Sequence, residues 1–281
     1  MAVSNDFIHT ENAIQNGIDA LSQIVEEFLK KNIELVRVCR TAVLLMECGV
    51  NPFNAVFNEL VYKCIKYQRK DGGWTDVEET LWCTTFLAIY ENYLDKVYKA
   101  INWLEKQEHK DGCWGKSVRD FGRIPLTSLL LCFLPQLKSE TRLKWLEDKW
   151  CWEQKLQPNL TYKAALTIMA FSRHNFNPEH NQLLNKTLAW ICGQQNEDGG
   201  WGPWRNHPIG SDPWCTGICL VSLLHFPDIL SKDLLNTGLK WIMEKQLSTG
   251  LWAYHYIEDG SAWALYALTK GSSILSRRKN D

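Results

Sequence analysis

Four times along this chain an apolar segment ends in a glutamine, and six or seven residues after that glutamine comes a tryptophan set behind a glycine. The four are Gln68 with Gly72-Gly73-Trp74, Gln107 with Gly112-Cys113-Trp114, Gln195 with Gly199-Gly200-Trp201, and Gln246 with Gly250-Leu251-Trp252. A pattern that recurs every few tens of residues marks one repeated supersecondary unit, and it restricts the chain to folds that stack or close such units. Each Gly–Trp turn is followed by a polar loop and a second apolar stretch, at residues 81–91, 125–134, 213–225 and 262–269. These stretches have helical spacing and no convincing strand alternation, so the unit is a helical hairpin. Two pairs without the signature fill the gaps, 12–29 with 34–48 and 140–148 with 161–174. About six hairpins predict an all-α (α/α)6 toroid, with the second helices as an inner barrel and the first helices outside. An open superhelix is the competing arrangement. Closure is favoured because the last repeat is as apolar as the middle ones. No linker divides the chain, so residues 1–281 are expected to form one domain.

Composition narrows the function classes. The 31 basic and 32 acidic residues leave a net charge of −1, which argues against an electrostatic grip on nucleic acid. The first ten residues lack a basic, then apolar, leader, and no stretch approaches the roughly 18 apolar residues a membrane span needs. A cytoplasmic protein is the expectation. Ten cysteines scattered among apolar residues, without CxxC pairs, read as reduced and buried thiols. Fourteen tryptophans are a large amount of rigid π surface, available to pack a core or to line a pocket.

The Gln and Gly-x-Trp repeats resemble the QW motifs of the squalene-hopene and related class II terpene cyclases, from about residue 54 onward. In that family a Gly-Gly-aromatic turn leads into Asp-x-Asp-Asp-Thr at the start of an inner helix. Here Gly72-Gly73-Trp74 leads into Asp76-Val77-Glu78-Glu79-Thr80, with Glu for Asp at two acidic positions. The resemblance implies a protonation-initiated cyclase of a linear prenyl chain, closest to the single-domain members. It implies Glu78 as proton donor, with Asp76 and Glu79 as supporting carboxylates. No cofactor is needed for protonation, although a diphosphate substrate would bring Mg²⁺. The expected partner is a small isoprenoid, with peripheral membrane contact allowed and the protein a monomer or homodimer.

Residue chemistry fits this reading without requiring it. Burial and neighbouring carboxylates raise the pKa of one member of an acidic cluster, while a helix N-terminus favours its conjugate base. The same segment is also a capping box, Asp76-x-x-Glu79 or Thr75-x-x-Glu78. Trp82, four residues after Glu78, falls on the same helix face. With Trp214, Trp263, Tyr162, Phe121 and, less firmly, Tyr254 and Tyr256, it forms the candidate cavity lining, because aromatic faces stabilise a desolvated cation. Trp74, Trp114, Trp201 and Trp252 are expected to pack in the turns. Ser211-Asp212-Pro213 reads as an N-cap, leaving Asp212 a lesser chance of facing the cavity, and Asp259 is similarly ambiguous. Lys116, Arg119, Arg123 and Arg205 are candidates for a polar head group. Rival readings are a zinc-dependent prenyltransferase β subunit using Asp212, Cys215 and His255, a carbohydrate-active toroid, and a non-catalytic isoprenoid-binding toroid.

Overall fold

A computed structural model describes residues 5–180 and 182–278. Among these residues twelve α-helices follow one another: α1 (Asn5–Lys31), α2 (Leu35–Glu47), α3 (Ala55–Tyr67), α4 (Val77–Leu87), α5 (Leu94–Lys106), α6 (Ile124–Phe133), α7 (Glu140–Glu153), α8 (Thr161–Arg173), α9 (Leu183–Gly193), α10 (Pro213–Leu224), α11 (Lys232–Lys245) and α12 (Ile257–Arg278). Apart from an isolated bridge between Gln246 and Trp252, the described residues contain no β-structure. None of their helices is long and apolar enough to cross a membrane.

The even-numbered helices touch in the order α2, α4, α6, α8, α10, α12, and α12 returns to α2, so the inner barrel closes. The odd-numbered helices lie outside. Inner helices meet neighbours all round and are buried on most sides, as α10 is from Pro213 to Leu223 except at Trp214. Closure rather than an open superhelix follows from α1, which packs on α12 and α2. Gln246 Nε2 donates to the carbonyl of Ala13 at 2.9 Å, joining the last repeat to the first helix.

Each signature tryptophan is a two-sided pin. Its indole N–H donates to a carbonyl in the last turn of the outer helix ten residues earlier: Trp74 to Cys64 at 3.0 Å, Trp114 to Leu104 at 2.8 Å, Trp201 to Ile191 at 2.8 Å and Trp252 to Ile242 at 2.7 Å. Those carbonyls are among the acceptors that a helix end leaves short of partners. Its backbone N–H donates to a hydroxyl in the first turns of the inner helix, Thr80, Thr127, Thr216 or Ser261. The glutamines tie neighbouring repeats: Gln68 Nε2 reaches Lys96 O at 2.9 Å and Gln195 Nε2 reaches Leu234 O at 3.2 Å. Glycine is required where the turn abuts the next outer helix. Gly199 has φ +91°, and a Cβ there would meet the carbonyl of Thr237 at 2.6 Å.

Several helix boundaries differ from those the sequence suggests: α1 begins at Asn5 rather than near residue 12, and α7 runs on to Glu153 rather than 148. α4 begins at Val77, not near residue 81, because Asp76 caps it by accepting from Glu79 N at 2.8 Å. α12 runs from Ile257 to Arg278, well beyond 262–269, because it both completes the barrel and supports α1. All ten cysteines are unbridged.

Trp201→Phe keeps the ring and removes the indole donor, leaving the Ile191 carbonyl with the Gln194 N–H alone. The expected cost is about 0.5–1.5 kcal/mol in denaturant unfolding, whereas Trp152→Phe, at a 52% exposed position, should change stability by less than about 0.5 kcal/mol.

Candidate active site

The N-terminal ends of the inner helices converge on a cavity of about 210 Å³, lined among others by Arg40, Glu78, Trp82, Lys116, Arg123, Trp214, Asp259 and Trp263. Local sequence explains how each polar group arrives there. The Asp76 cap starts α4 so that Glu78 lies in its first turn and Trp82 one turn further on. Val77 N donates to Lys116 O at 3.1 Å, which pins the loop after Trp114 against that helix start. Asp120 holds the loop by accepting from Lys116 N at 3.0 Å and from Arg123 Nε at 2.8 Å.

Charge at the cavity is arranged around α2. Arg40 Nη1 lies 3.5 Å from Glu78 Oε1, and its Nε lies 3.0 Å from Asp259 Oδ1, although the N–H is not aligned on that oxygen. Lys116 Nζ stands 3.6 Å from Glu78 Oε2. One turn earlier on α2, Arg37 Nε donates to Glu258 Oε1 at 2.6 Å, with Glu258 fully buried. Asp259 is the carboxyl whose surroundings change it most. Burial pushes its pKa up to about 6 against the pull of Arg40, with Glu258 and Glu78 adding repulsion.

The acidic segment divides its work. Glu78 faces the cavity, whereas Asp76 is an N-cap. Glu79 Oε1 accepts from Thr75 Oγ1 at 2.8 Å and from Thr75 N at 3.3 Å, and Oε2 accepts from Val36 N at 3.4 Å. Glu79 therefore joins the starts of α4 and α2.

The aromatic candidates also separate. Trp82, Trp214 and Trp263 line the cavity. Tyr162 packs edge-on against Trp214 at 5.0 Å, and Tyr254 lies parallel to Trp214 at 6.4 Å, so both brace that indole. Phe121 does not line the cavity: it is 71% exposed and sits under the Arg123 guanidinium, because the Asp120 clamp turns the loop outward. Tyr256 lies instead under the Arg37 guanidinium, 5.1 Å from ring centre to Cζ. Asp212 caps α10 by accepting from Cys215 N at 2.8 Å, and burial raises its pKa. Of the proposed head-group cations only Lys116 and Arg123 reach the cavity, while Arg205 bonds to Gly193 O at the C-terminal end of α9. Asp212, Cys215 and His255 are not among the described metal-ready clusters.

Arg40 and Phe133 belong to this region and escape the sequence reading. Arg37 and Arg40 stand three apart in a helix that is otherwise apolar but for Thr41 and the terminal Glu47, a signal that a buried ion pair awaits them. Phe133, at the end of α6, meets Trp82 at 4.8 Å and Trp263 at 6.3 Å between ring centres. This aromatic layer floors the cavity and separates it from a second one of about 260 Å³ at the C-terminal ends of the inner helices, lined by Glu47, Phe133, Arg173 and His225 among others.

No family model matches the chain. It is 25% identical over 101 residues to protostadienol synthase A of Arthroderma gypseum, covering 33% of this chain and 14% of that one. It is 26% identical over 137 residues to the squalene–hopene cyclase of Zymomonas mobilis, covering 45% of this chain and 20% of that one. The matches thus span a fifth or less of these relatives' length. The apo structure of type II terpene cyclase MstE from Scytonema superposes with a TM-score of 0.72 at 16% identity, covering 94% of this chain and 99% of MstE. An α-amylase from Clostridium perfringens superposes less well, with a TM-score of 0.55 at 12% identity over 83% of this chain and 86% of its own. The chain has the toroid fold of the type II terpene cyclases.

Proposed function

We propose that the chain is a class II terpene cyclase, a single toroidal unit over residues 1–281 that works in the cytoplasm. It protonates a linear prenyl chain and closes it through carbocations into a cyclic product. The observation that carries this reading is the placement of Glu78 and Asp259 on a shared arginine at a cavity walled by Trp82, Trp214 and Trp263. MstE, with the same fold, has been captured with geranylgeranyl dihydroxybenzoate, an isoprenoid substrate.

Protonating an alkene requires a carboxyl that still holds its proton near neutrality. With its pKa lifted to about 6, Asp259 is the member of the pair suited to that task. Its O–H bond breaks as the alkene π pair takes the proton, and Arg40 holds the carboxylate that remains. The indole faces then meet the cation, each stabilising it by about 2 kcal/mol when desolvated. Loss of a C–H proton from the final cation, or capture by water, ends the reaction. Glu78 supplies the second carboxyl of the pair, and Asp76 and Glu79 position it through the first turn of α4. Tyr162 and Tyr254 hold Trp214 at its angle, and Asp212 fixes the start of α10. Lys116 and Arg123 stand where a polar head group would enter.

Cavity size bears on chain length. Pockets for drug-sized ligands start at about 300 Å³, so about 210 Å³ favours a short prenyl chain over a long one.

Incubation with prenyl alcohols, diphosphates and prenylated aromatics should yield a cyclic product from the wild-type protein and at least about 100-fold less from Asp259→Asn and Glu78→Gln. Full activity in Asp259→Asn would sink the acid assignment. Activity should be level below pH 6 and fall as the pH rises through about 6. Phe133→Ala should join the two cavities and shift preference toward longer chains. The stability sign follows from the same group: its folded pKa is raised from 3.8 to about 6, so its contribution is complete below pH 3.8 and is lost as pH rises through 6. Asp259→Asn should flatten that segment of the pH–stability curve, by at most about 3 kcal/mol.

A further inference from the structure

Three of the four signature turns carry an aspartate just before the glycine, at Asp71, Asp111 and Asp198. In the first and third turns one carboxylate oxygen accepts from the backbone two residues on, Gly73 N at 3.2 Å and Gly200 N at 3.0 Å. The other accepts from the indole of the next outer helix, Trp103 at 3.2 Å and Trp241 at 2.9 Å. The second turn keeps the indole, with Trp145 Nε1 2.9 Å from Asp111 Oδ2, but the partner of Asp111 Oδ1 is the Cys113 thiol at 3.2 Å. Cys113 stands where the sister turns have Gly73 and Gly200. His109 stands where they have Arg69 and Asn196.

Backbone geometry makes these two substitutions face each other. His109 N donates to Cys113 O at 2.9 Å, the same closure seen for Arg69 with Gly73 and for Asn196 with Gly200. A ring nitrogen of His109, a carboxylate oxygen of Asp111 and Cys113 Sγ therefore all lie within 4.8 Å of one another. Cys113 is 1% exposed, and His109 Nε2 is shielded from solvent without a hydrogen-bond partner. A buried imidazole nitrogen with no partner is costly unless something coordinates it.

We propose that this turn is a zinc site, with His109, Asp111 and Cys113 as three ligands and the fourth position left to water. Around a tetrahedral ion with bonds of about 2.0–2.3 Å, ligand atoms lie roughly 3.3–3.8 Å apart, so side-chain shifts of about 1 Å complete the geometry. On binding, the thiol loses its proton to solvent and the imidazole remains neutral. The divalent charge is then balanced by one thiolate and one carboxylate. Trp145 already orients Asp111 from α7, as outer hydrogen bonds do at established metal sites. None of the three ligands lines the cavity that holds Glu78 and Asp259. The ion braces the α5–α6 turn, which Asp111 ties to Trp145 of α7, and takes no part in cyclisation.

The buried trio Cys39, Cys64 and Cys83 is the other dense thiol group. Its sulfurs pack on one another in the core, Cys39 Sγ lying 3.4 Å from Cys64 Sγ and 3.7 Å from Cys83 Sγ, and three thiolates around a divalent ion would leave a net negative charge in an apolar interior, so that group favours packing over metal.

Cobalt(II) titration of the full, reduced, metal-free chain tests the proposal. One cobalt per chain should give a thiolate charge-transfer band and intense tetrahedral d–d bands, both displaced by zinc. Cys113→Gly and His109→Asn install residues that the sister turns already carry, so they should fold normally in chelator. Each should lose the bands and weaken zinc binding by about 100-fold or more, and zinc should raise the unfolding midpoint of the wild type alone. Absence of the bands in the wild type, or their survival in both variants, would overturn the proposal. Bands lost only in Cys64→Ala would assign the metal to the buried trio and overturn it equally.

Discussion

The indole N–H of each signature tryptophan, given to a carbonyl in the last turn of the preceding helix, is the contact on which the rest of this architecture depends. A helix end leaves carbonyls unsatisfied, and a buried helix end cannot leave them to water. One side chain meets that need and, through its own backbone amide, fixes the hydroxyl that starts the next helix. The angle of each hairpin is thereby set within the repeat. The glutamine and the left-handed glycine then set the distance to the next repeat. Repetition of one geometry bends the chain into a ring and brings the N-terminal ends of all inner helices to one end. That end is where the cavity lies.

Closing the ring places chemistry at its seam. Arg37 on α2 and Glu258 on α12 are 221 positions apart, yet they meet at 2.6 Å. Beside them Arg40 stands within ion-pair reach of both Glu78 and Asp259. Burying charges in pairs costs desolvation that mutual attraction only partly offsets. The raised pKa of Asp259 expresses that cost, since the carboxyl can escape it by taking up a proton. A site strained in this way conserves an acid near neutrality and gives up stability to do so.

Much of the fold was legible because its determinants are local. Gln, Gly and Trp lie within one turn, and helical spacing of apolar residues marks the hairpins on either side. The site was legible only in part. Glu78 and Trp82 could be placed from the α4 cap and a four-residue spacing. Phe121 could not, because its direction depends on the Asp120 clamp of its loop. The prominence of Asp259 and the presence of Arg40 depend on closure of the ring, a contact between chain ends that periodicity does not report. Phe133 likewise becomes a floor only when three inner helices meet. Within the acidic segment, capping and cavity roles fall to different residues, so the two readings of that segment were compatible from the start.

The central claim is that a proton from a carboxyl, not departure of a leaving group, starts the reaction. Running the reaction in D₂O and locating the label in the cyclic product by mass and NMR tests it most directly. The account predicts one solvent-derived deuterium at the initiating carbon, with label and product lost together in Asp259→Asn. A cyclic product formed in D₂O without deuterium at that carbon would contradict it.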